Sequence, residues 1–224
     1  MPERVTPLRL CTIVDSDGET IQPYVRCPRR DETIDALACT GCARMRSLEW
    51  DPSRGGEVTC TITEASAPAK VDRRADLGEL ASRVLLHEVV APTSLCVKND
   101  LSLERLKHVV QTRRARAVAV IDDARKLLGL LSLVDLATAP DVGRVADLEP
   151  RRIHPLLDDS PLAHAIALMA SEQVNEVPVV RADGTFIGVY YAVDALRWVA
   201  TRMGYVIPEP ARPGTDSLPK EGPS

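Results

Sequence analysis

Two stretches of the chain share one pattern: AVAVIDDARKLLGLLSLVDL at residues 117–136 and EVPVVRADGTFIGVYYAVDA at residues 176–195. Each has an apolar run, a polar turn and a second apolar run that contains a glycine, with an aspartate six positions after the glycine. An offset of 59 residues aligns the two stretches without a gap and places Gly129 on Gly188 and Asp135 on Asp194. A constant offset of this length indicates an internal repeat.

The same offset extends toward the N-terminus, where it places Asp100 on Asp159 and Leu103 on Leu162. Residues 101–110 and 160–170 carry apolar side chains at helical spacing, and the flanking apolar runs are typical of buried strands. Each copy is therefore predicted to have the order strand, helix, strand, strand, helix. Because neither copy is large enough to bury a good core alone, we expect the two to pack face to face.

This repeat resembles a tandem pair of CBS domains, the Bateman module, over about residues 84–204. The resemblance implies an α/β (α+β) fold in which two β-α-β-β-α repeats form a pseudo-two-fold pair. The motif that carries the resemblance consists of Ala119, Val120, Ile121, Gly129, Ser132 and Asp135 in the first copy, and of Pro178, Val179, Val180, Gly188, Tyr191 and Asp194 in the second.

The resemblance implies that an adenosine-containing ligand (AMP, ATP or S-adenosylmethionine) binds in the cleft between the repeats. In the family the aspartate holds the ribose hydroxyls and the Ser/Thr contacts phosphate. The start of a helix suits this chemistry because its free N–H groups attract an anion, and a carboxylate has two oxygens for a cis-diol. The predicted ligand-binding residues are Ser132, Asp135, Asp194, Tyr191, Ala119 and Pro178.

The two copies differ at the position of the small hydroxyl residue, which is Ser132 in the first copy and Tyr191 in the second. We therefore predict one competent site, at Ser132 and Asp135, and one altered or empty site. The other interpretation is that Ser132 and Asp135 only cap a helix and that the module is a ligand-free dimerisation unit. The basic run at residues 113–116 either meets a nucleotide phosphate or forms a solvated turn.

Five of the six cysteines lie within the first 60 residues, and Cys27, Cys39, Cys42 and Cys60 have the spacing C-x11-C-x2-C-x17-C. In a reducing compartment such clustering favours metal ligation over disulfides, and four thiolates suit tetrahedral Zn²⁺. We predict a zinc-ribbon-like lobe with these four ligands. Three alternatives stay open: Cys11 replaces Cys60, an iron–sulfur cluster replaces zinc, or Cys39 and Cys42 form a redox pair.

Alternation and turn residues predict strands at residues 8–14, 20–26 and 57–63, the first two joined by a hairpin turn at residues 15–18. Residues 64–74 have no apolar period and are predicted to be a linker. The predicted domains are a cysteine-rich lobe (1–65), a linker (66–80), a first repeat (81–140), a second repeat (141–207) and a disordered tail (208–224).

The chain has 224 residues, a formal net charge of −4 and only 3% aromatic residues, which argues against a nucleic-acid surface. No apolar stretch reaches the length of a transmembrane helix, and the first residues do not have the pattern of a signal peptide, so a cytoplasmic protein without membrane contact is expected. The residues contain no recognised catalytic motif, and we expect no enzyme activity.

The predicted function is therefore a homodimeric regulatory sensor that binds an adenosyl nucleotide and signals to an effector protein. Two alternatives remain. One is a ligand-free dimerisation or partner-binding scaffold with a structural zinc site, and the other is a redox or iron–sulfur protein.

Overall fold

The computed structural model describes residues 3–52, 55–61, 76–90, 93–113 and 115–205. The predicted linker at 64–74 and the predicted tail at 208–224 lie outside the described residues. Residues 77–80 were also predicted to be linker, but they form the first part of a helix. Among the described residues, no helix has both the length and the apolar character needed to cross a membrane.

The N-terminal part of the chain is almost entirely β-structure. The predicted hairpin is present, and the Asp15 side chain accepts hydrogen bonds from the N–H groups of Asp17 and Gly18 at its turn. The predicted third strand is also present, at slightly earlier bounds. The elements are β1 (Glu3–Pro7), β2 (Arg9–Val14), β3 (Glu19–Cys27), β4 (Glu32–Asp35), a 3₁₀ helix (Ala36–Gly41), β5 (Met45–Asp51) and β6 (Gly55–Thr61).

The two repeats follow, preceded by two short helices. The first repeat contains a long first strand, whereas the corresponding strand of the second repeat has only two residues. The elements are α1 (Leu77–Arg83), α2 (Leu86–Val89), β7 (Thr93–Lys98), α3 (Leu103–Arg113), β8 (Ala117–Ile121), β9 (Leu127–Ser132) and α4 (Leu133–Thr138), then β10 (Leu156–Leu157), α5 (Leu162–Glu172), β11 (Glu176–Val180), β12 (Phe186–Tyr191) and α6 (Ala192–Arg202).

The repeat found in the sequence is reproduced in the hydrogen-bond register of the strands. Ala117 lies opposite Ser132 in the first copy, and Glu176 lies opposite Tyr191 in the second, so both pairs obey the 59-residue offset. Both antiparallel pairs also contain an irregularity at the same position, after Val120 and after Val179. The α/β fold class with two β-α-β-β-α repeats is confirmed.

The cysteine-rich N-terminal part and the first repeat share one β-sheet. Strand β2 pairs in parallel with β7 from Leu10↔Thr93 to Val14↔Val97, which produces one six-stranded sheet of order β4-β3-β2-β7-β8-β9. Strands β1, β6 and β5 form a separate three-stranded sheet, and β10, β11 and β12 form another. Backbone hydrogen bonding therefore crosses the domain boundary that the composition predicts.

The largest hydrophobic cluster joins the hairpin to both repeats. Tyr24 from β3 is only 2% exposed and belongs to the same cluster as Leu86 before the first repeat and Phe186 in the second. Burial of large side chains in one shared core is the main stabilising contribution in a domain of this size. The hairpin is thus part of the main core.

A buried ion pair ties the hairpin to the second repeat. Arg26 of β3 lies 3.4 Å from the carboxylate of Asp158, which follows β10, and their side chains are only 11% and 8% exposed. Thr33 of β4 donates a hydrogen bond to the same carboxylate. Because a buried carboxylate needs compensating partners, Asp158 holds the two segments in a defined arrangement.

We expect Asp158→Ala to lower the free energy of unfolding by about 3 kcal/mol, because it leaves the buried Arg26 with only the exposed Asp31 as counter-charge and removes the acceptor of the Thr33 hydroxyl. The matched control is Asp141→Ala, whose side chain is 94% exposed and pairs with Lys107. The control should cost less than about 1 kcal/mol. Urea unfolding of the three proteins measures both effects, and equal losses in the two variants would contradict the structural role of Asp158.

Candidate functional site

The first candidate cleft is built at the junction between β9 and α4. Ser132 is the residue before the helix, and its hydroxyl accepts a hydrogen bond of 3.2 Å from the Asp135 N–H. The Ser132 N–H and hydroxyl both donate to Asp135 Oδ2 at 2.7 Å. The two residues therefore form a reciprocal cap, which fixes the carboxylate at the start of the helix.

Arg151, from the segment between the repeats, lies beside this cap. Its Nε is 3.5 Å from Asp135 Oδ2 and one terminal nitrogen is 3.0 Å from Glu176 Oε1. Its backbone is held against β9 by two 2.9 Å hydrogen bonds with Leu130. One guanidinium thus connects the helix start of the first repeat with the first residue of β11 in the second repeat.

The electrostatics of this cleft favour an ionised carboxylate. Burial by itself would raise the pKa of Asp135, but the hydrogen bonds from Ser132 and the charge of Arg151 outweigh it and lower the pKa. All the contacts that the described residues make here engage Oδ2. None of these contacts engages Oδ1.

The second cleft has the corresponding position but different side chains. Tyr191 precedes α6 and makes no side-chain cap there, and the guanidinium of Arg116 lies 5.7 Å from the centre of its ring. Burial raises the pKa of Tyr191 to about 12. Burial also raises the pKa of Asp194, against the opposing charge of Arg116. This cleft is lined by a large ring where the first has a small hydroxyl.

The strand register shows where two further predicted ligand-binding residues, Ala119 and Pro178, lie in the sheets. Ala119 is fully buried opposite Leu130 in the middle of the sheet, and Pro178 is buried opposite Val189. Their part in ligand binding stays a prediction. The residues opposite Ser132 and Tyr191 are Ala117 and Glu176, two positions earlier.

Sequence reasoning missed Arg151 and Glu176 entirely. Arg151 carries no motif, and its position depends on the path of the segment between the repeats. Glu176 could have been predicted from the repeat. If the two strands of each copy pair antiparallel, the residue opposite Ser132 is Ala117, and the 59-residue offset aligns Ala117 with Glu176. Arg116 is the last residue of the basic run at residues 113–116, and its guanidinium lies over the Tyr191 ring.

A cavity of about 350 Å³ lies along the edge of β9. Its lining includes Leu128, Gly129 and Arg152. These residues lie on the far side of the Leu130–Arg151 backbone pair from Ser132. The cavity is therefore distinct from the cleft at the helix start.

The fold brings three of the four predicted cysteine ligands to one cavity. Cys27 at the end of β3, Cys42 just after the 3₁₀ helix and Cys60 in β6 line one cavity of about 20 Å³, together with Arg29 and Arg44. Cys39 is 6% exposed. Its pKa is raised to about 11 by burial and by the nearby Cys60, Cys27 and Cys42 thiols.

Cys11, the alternative fourth ligand, lies elsewhere. Its Sγ is 3.0 Å from that of Cys96 in the main core, and both are buried free thiols. In the described part of the chain, no three Cys, His, Asp or Glu side chains are already arranged to hold a metal ion. The described residues therefore do not support the zinc site predicted at Cys27, Cys39, Cys42 and Cys60.

Comparison with known proteins gave matches to one family. A family model described as the CBS domain matches residues 86–141 and residues 145–201. No curated protein matches the chain. Among solved structures, the CBS domain pair of protein MJ0100 in complex with 5′-methylthioadenosine and S-adenosyl-L-methionine is 17% identical, with a TM-score of 0.49 over 53% of this chain and 98% of that one.

Two further solved structures are similar to about half of the chain. CBSX2 in complex with AMP is 21% identical, with a TM-score of 0.48 over 54% of this chain and 98% of that one. The CBS domains of a transcriptional regulator from Streptococcus pneumoniae are 18% identical, with a TM-score of 0.47 over 51% of this chain and 98% of that one. The two family matches together cover half of the chain, and they coincide with the two repeats described above. The chain therefore belongs to the CBS domain family, of which it carries a tandem pair.

Proposed function

We propose that this protein is a regulatory sensor, without enzyme activity, that binds one adenosine-containing nucleotide at Ser132 and Asp135 and passes the bound state to an effector protein. The observation that carries the proposal is the contact of Arg151 with both Asp135 and Glu176. This contact supports the proposal because a carboxylate suited to ribose hydroxyls and a cation suited to phosphate lie side by side. The six free thiols fit the reducing cytoplasm.

The carboxylate is prepared for this task before a ligand arrives. Ser132 fixes Asp135 Oδ2 at the helix start, so its other oxygen faces a ligand with little loss of side-chain freedom. A preorganised acceptor of this kind gains affinity because little ordering remains to be done on binding. The ribose hydroxyls of AMP, ATP and S-adenosylmethionine all meet this requirement.

Arg151 supplies the positive charge. Its side chain is 44% exposed, so it can leave Asp135 for a phosphate without a large change in burial. A guanidinium suits a phosphate because its donors match two oxygens at once. Nucleotides with phosphate should therefore bind more tightly than S-adenosylmethionine, whose own sulfonium is positive.

The same residue offers a route from ligand to output. Arg151 connects the first repeat to Glu176 in the second, so a ligand that takes over the guanidinium alters a contact between the repeats. A ligand shifts such an arrangement only if it binds two arrangements with different affinity. We expect the nucleotide that moves Arg151 furthest from Glu176 to change the arrangement of the two repeats most, and therefore to be the regulatory ligand.

A second candidate function is a dimerisation scaffold, and one observation favours it. Apolar side chains are exposed on both closing helices, namely Leu133 and Val134 on α4 and Leu196 on α6, with Val134 70% and Leu196 69% exposed. Exposed apolar patches commonly mark contact surfaces. We propose that these helices form a homodimer interface. A nucleotide sensor could also be such a dimer, whereas a scaffold would need nothing beyond this interface.

The nucleotide site is tested by isothermal titration with AMP, ATP and S-adenosylmethionine. We expect Asp135→Asn to weaken binding by about 10-fold or more, since a hydrogen bond to a charged group is lost. Asp194→Asn, the matched substitution in the second cleft, should change affinity less than about 2-fold. Absence of binding by all three compounds to the unaltered protein would reject the sensor and favour the scaffold.

The second cleft is tested with Tyr191→Ser, which recreates the small hydroxyl of the first repeat. Removal of the ring should open this cleft, so the number of nucleotides bound per chain should rise from one to two in the titration. Circular dichroism must show an unchanged fold. A stoichiometry that stays at one in a folded variant would mean that Tyr191 does not block the site.

The dimer is tested with Val134→Asp in sedimentation velocity. A charge at the centre of an apolar interface should convert the dimer to a monomer, because the carboxylate would be buried without a partner. The control is Val142→Asp, which is 86% exposed and lies outside both helices. A monomeric unaltered protein, or equal behaviour of the two variants, would exclude this interface.

A further inference from the structure

Two buried cysteines are in contact where the N-terminal hairpin joins the first repeat, and the proposed function does not use them. The Sγ atoms of Cys11 in β2 and Cys96 in β7 are 3.0 Å apart. Cys11 is 2% exposed, Cys96 is fully buried, and both are free thiols. The pair belongs to the main core, which contains residues of the hairpin and of both repeats.

The strand register puts the two side chains on one face of the sheet. Strands β2 and β7 are parallel neighbours, with Ile13 directly opposite Cys96. Because side chains alternate between the two faces along a strand, Cys11, Ile13 and Cys96 share a face. The Cys96 thiol also donates a hydrogen bond of 3.4 Å to the Thr12 carbonyl, so it is directed toward β2. The pairing of the two strands thus holds the sulfurs in contact.

A disulfide needs only a small movement from this arrangement. An S–S bond is about 2.0 Å long, so the two sulfurs must approach each other by about 1 Å. Rotation about one side-chain bond of each cysteine moves its sulfur and leaves the backbone in place. Since five residue pairs join β2 to β7, the strands stay together while the sulfurs move.

The other four cysteines lie elsewhere in the fold. Cys27, Cys42 and Cys60 line the cavity of about 20 Å³, and Cys39 belongs to the small hydrophobic cluster of the N-terminal part. Each sulfur of the buried pair therefore has the other as its available partner for a disulfide.

We propose that Cys11 and Cys96 are a modification site at which hydrogen peroxide forms a reversible disulfide that fastens the hairpin to the first repeat. One thiol reduces the peroxide: its sulfur gains an S–O bond, the O–O bond breaks and water leaves, which yields a sulfenic acid. The sulfur of the second thiol then attacks the first. The S–S bond forms, the S–O bond breaks, and the hydroxide leaves with the thiol proton as a second water.

The surroundings of the pair make this reaction slow. The hydrogen bond with Cys11 and burial raise the pKa of Cys96, and the positive charge of Arg125 opposes them. A protonated thiol reacts slowly because the thiolate is the nucleophile. Peroxide is uncharged and little larger than water, so brief local opening of the hairpin admits it. The buried pair should therefore be oxidised after the half-buried Cys27, Cys42 and Cys60.

The disulfide has a consequence for stability. It links residues 85 positions apart in the chain. A covalent link over a loop of this length restricts the unfolded chain, so the oxidised protein should be more stable than the reduced one. In a reducing compartment such a bond forms only while the oxidant is present, and thiol reductants reverse it.

The first test is peptide mapping of the unaltered full-length chain, treated with peroxide, alkylated and digested without reductant. Trypsin cuts after Lys and Arg, so Cys11 falls in peptide 10–26 and Cys96 in peptide 84–98, each without another cysteine. These two peptides should appear as one species, two hydrogens lighter than their sum, that a reductant separates. Absence of this species, or linkage of either peptide to 27–29, 31–44 or 55–70 in its place, would overturn the proposal.

Urea unfolding measures the stabilisation. Oxidation should raise the midpoint of the unaltered protein by about 1 M, given the usual stabilisation by a disulfide and the usual urea dependence. Cys11→Ala leaves Cys96 without its partner and should show no such rise. Cys60→Ser is the matched control, because it removes a cysteine outside the pair, and it should keep both the linked peptides and the rise.

Equal responses of Cys11→Ala and Cys60→Ser to oxidation would contradict the assignment. The mapping experiment needs no variant, so it decides the matter even where Cys11→Ala does not fold. Neither cysteine belongs to the nucleotide cleft. Failure of the disulfide therefore leaves the proposed nucleotide sensor untouched, and failure of nucleotide binding leaves the disulfide untouched.

Discussion

The parallel pairing of β2 with β7 is the contact on which the rest of the arrangement depends. A CBS repeat by itself would leave β7 at the edge of its sheet, with a row of unpaired N–H and C=O groups. Here the hairpin occupies that edge over five residue pairs and extends the sheet to six strands. In the second repeat the equivalent strand, β10, has only two residues and remains at an edge.

This asymmetry has two structural consequences. The hairpin brings Arg26 to Asp158, and β4, which pairs with β3, brings Thr33 to the same carboxylate, so the N-terminal part contacts the second repeat as well as the first. It also places the end of β3, which carries Cys27, beside the smaller three-stranded sheet that carries Cys60. The cavity lined by Cys27, Cys42 and Cys60 is therefore formed where two sheets meet, and the same hairpin serves the main core through Tyr24.

The two clefts differ although their backbones follow the same register. In the first, Ser132 and Arg151 compensate the charge of Asp135 and lower its pKa. In the second, burial raises the pKa of Asp194 and a tyrosine ring fills the position of the small hydroxyl. Identical strand pairing with different side chains is what a duplicated unit produces when one copy has been adapted. This difference in electrostatics is one reason for proposing nucleotide binding at the first cleft rather than the second.

The sequence by itself determined the repeat, its offset and its element order, because apolar periodicity and turn residues are local properties that survive in each copy. It also determined the difference between Ser132 and Tyr191 and the spacing of the cysteines. Only the tertiary structure decided that Arg151 contacts both Asp135 and Glu176, and that Cys60 rather than Cys11 lines a cavity with Cys27 and Cys42. The path of the inter-repeat segment, the strand register and the pairing of β2 with β7 are long-range contacts. No local pattern of residues specifies which strands will meet, so the association of the cysteine-rich part with the first repeat could be established only from the folded chain.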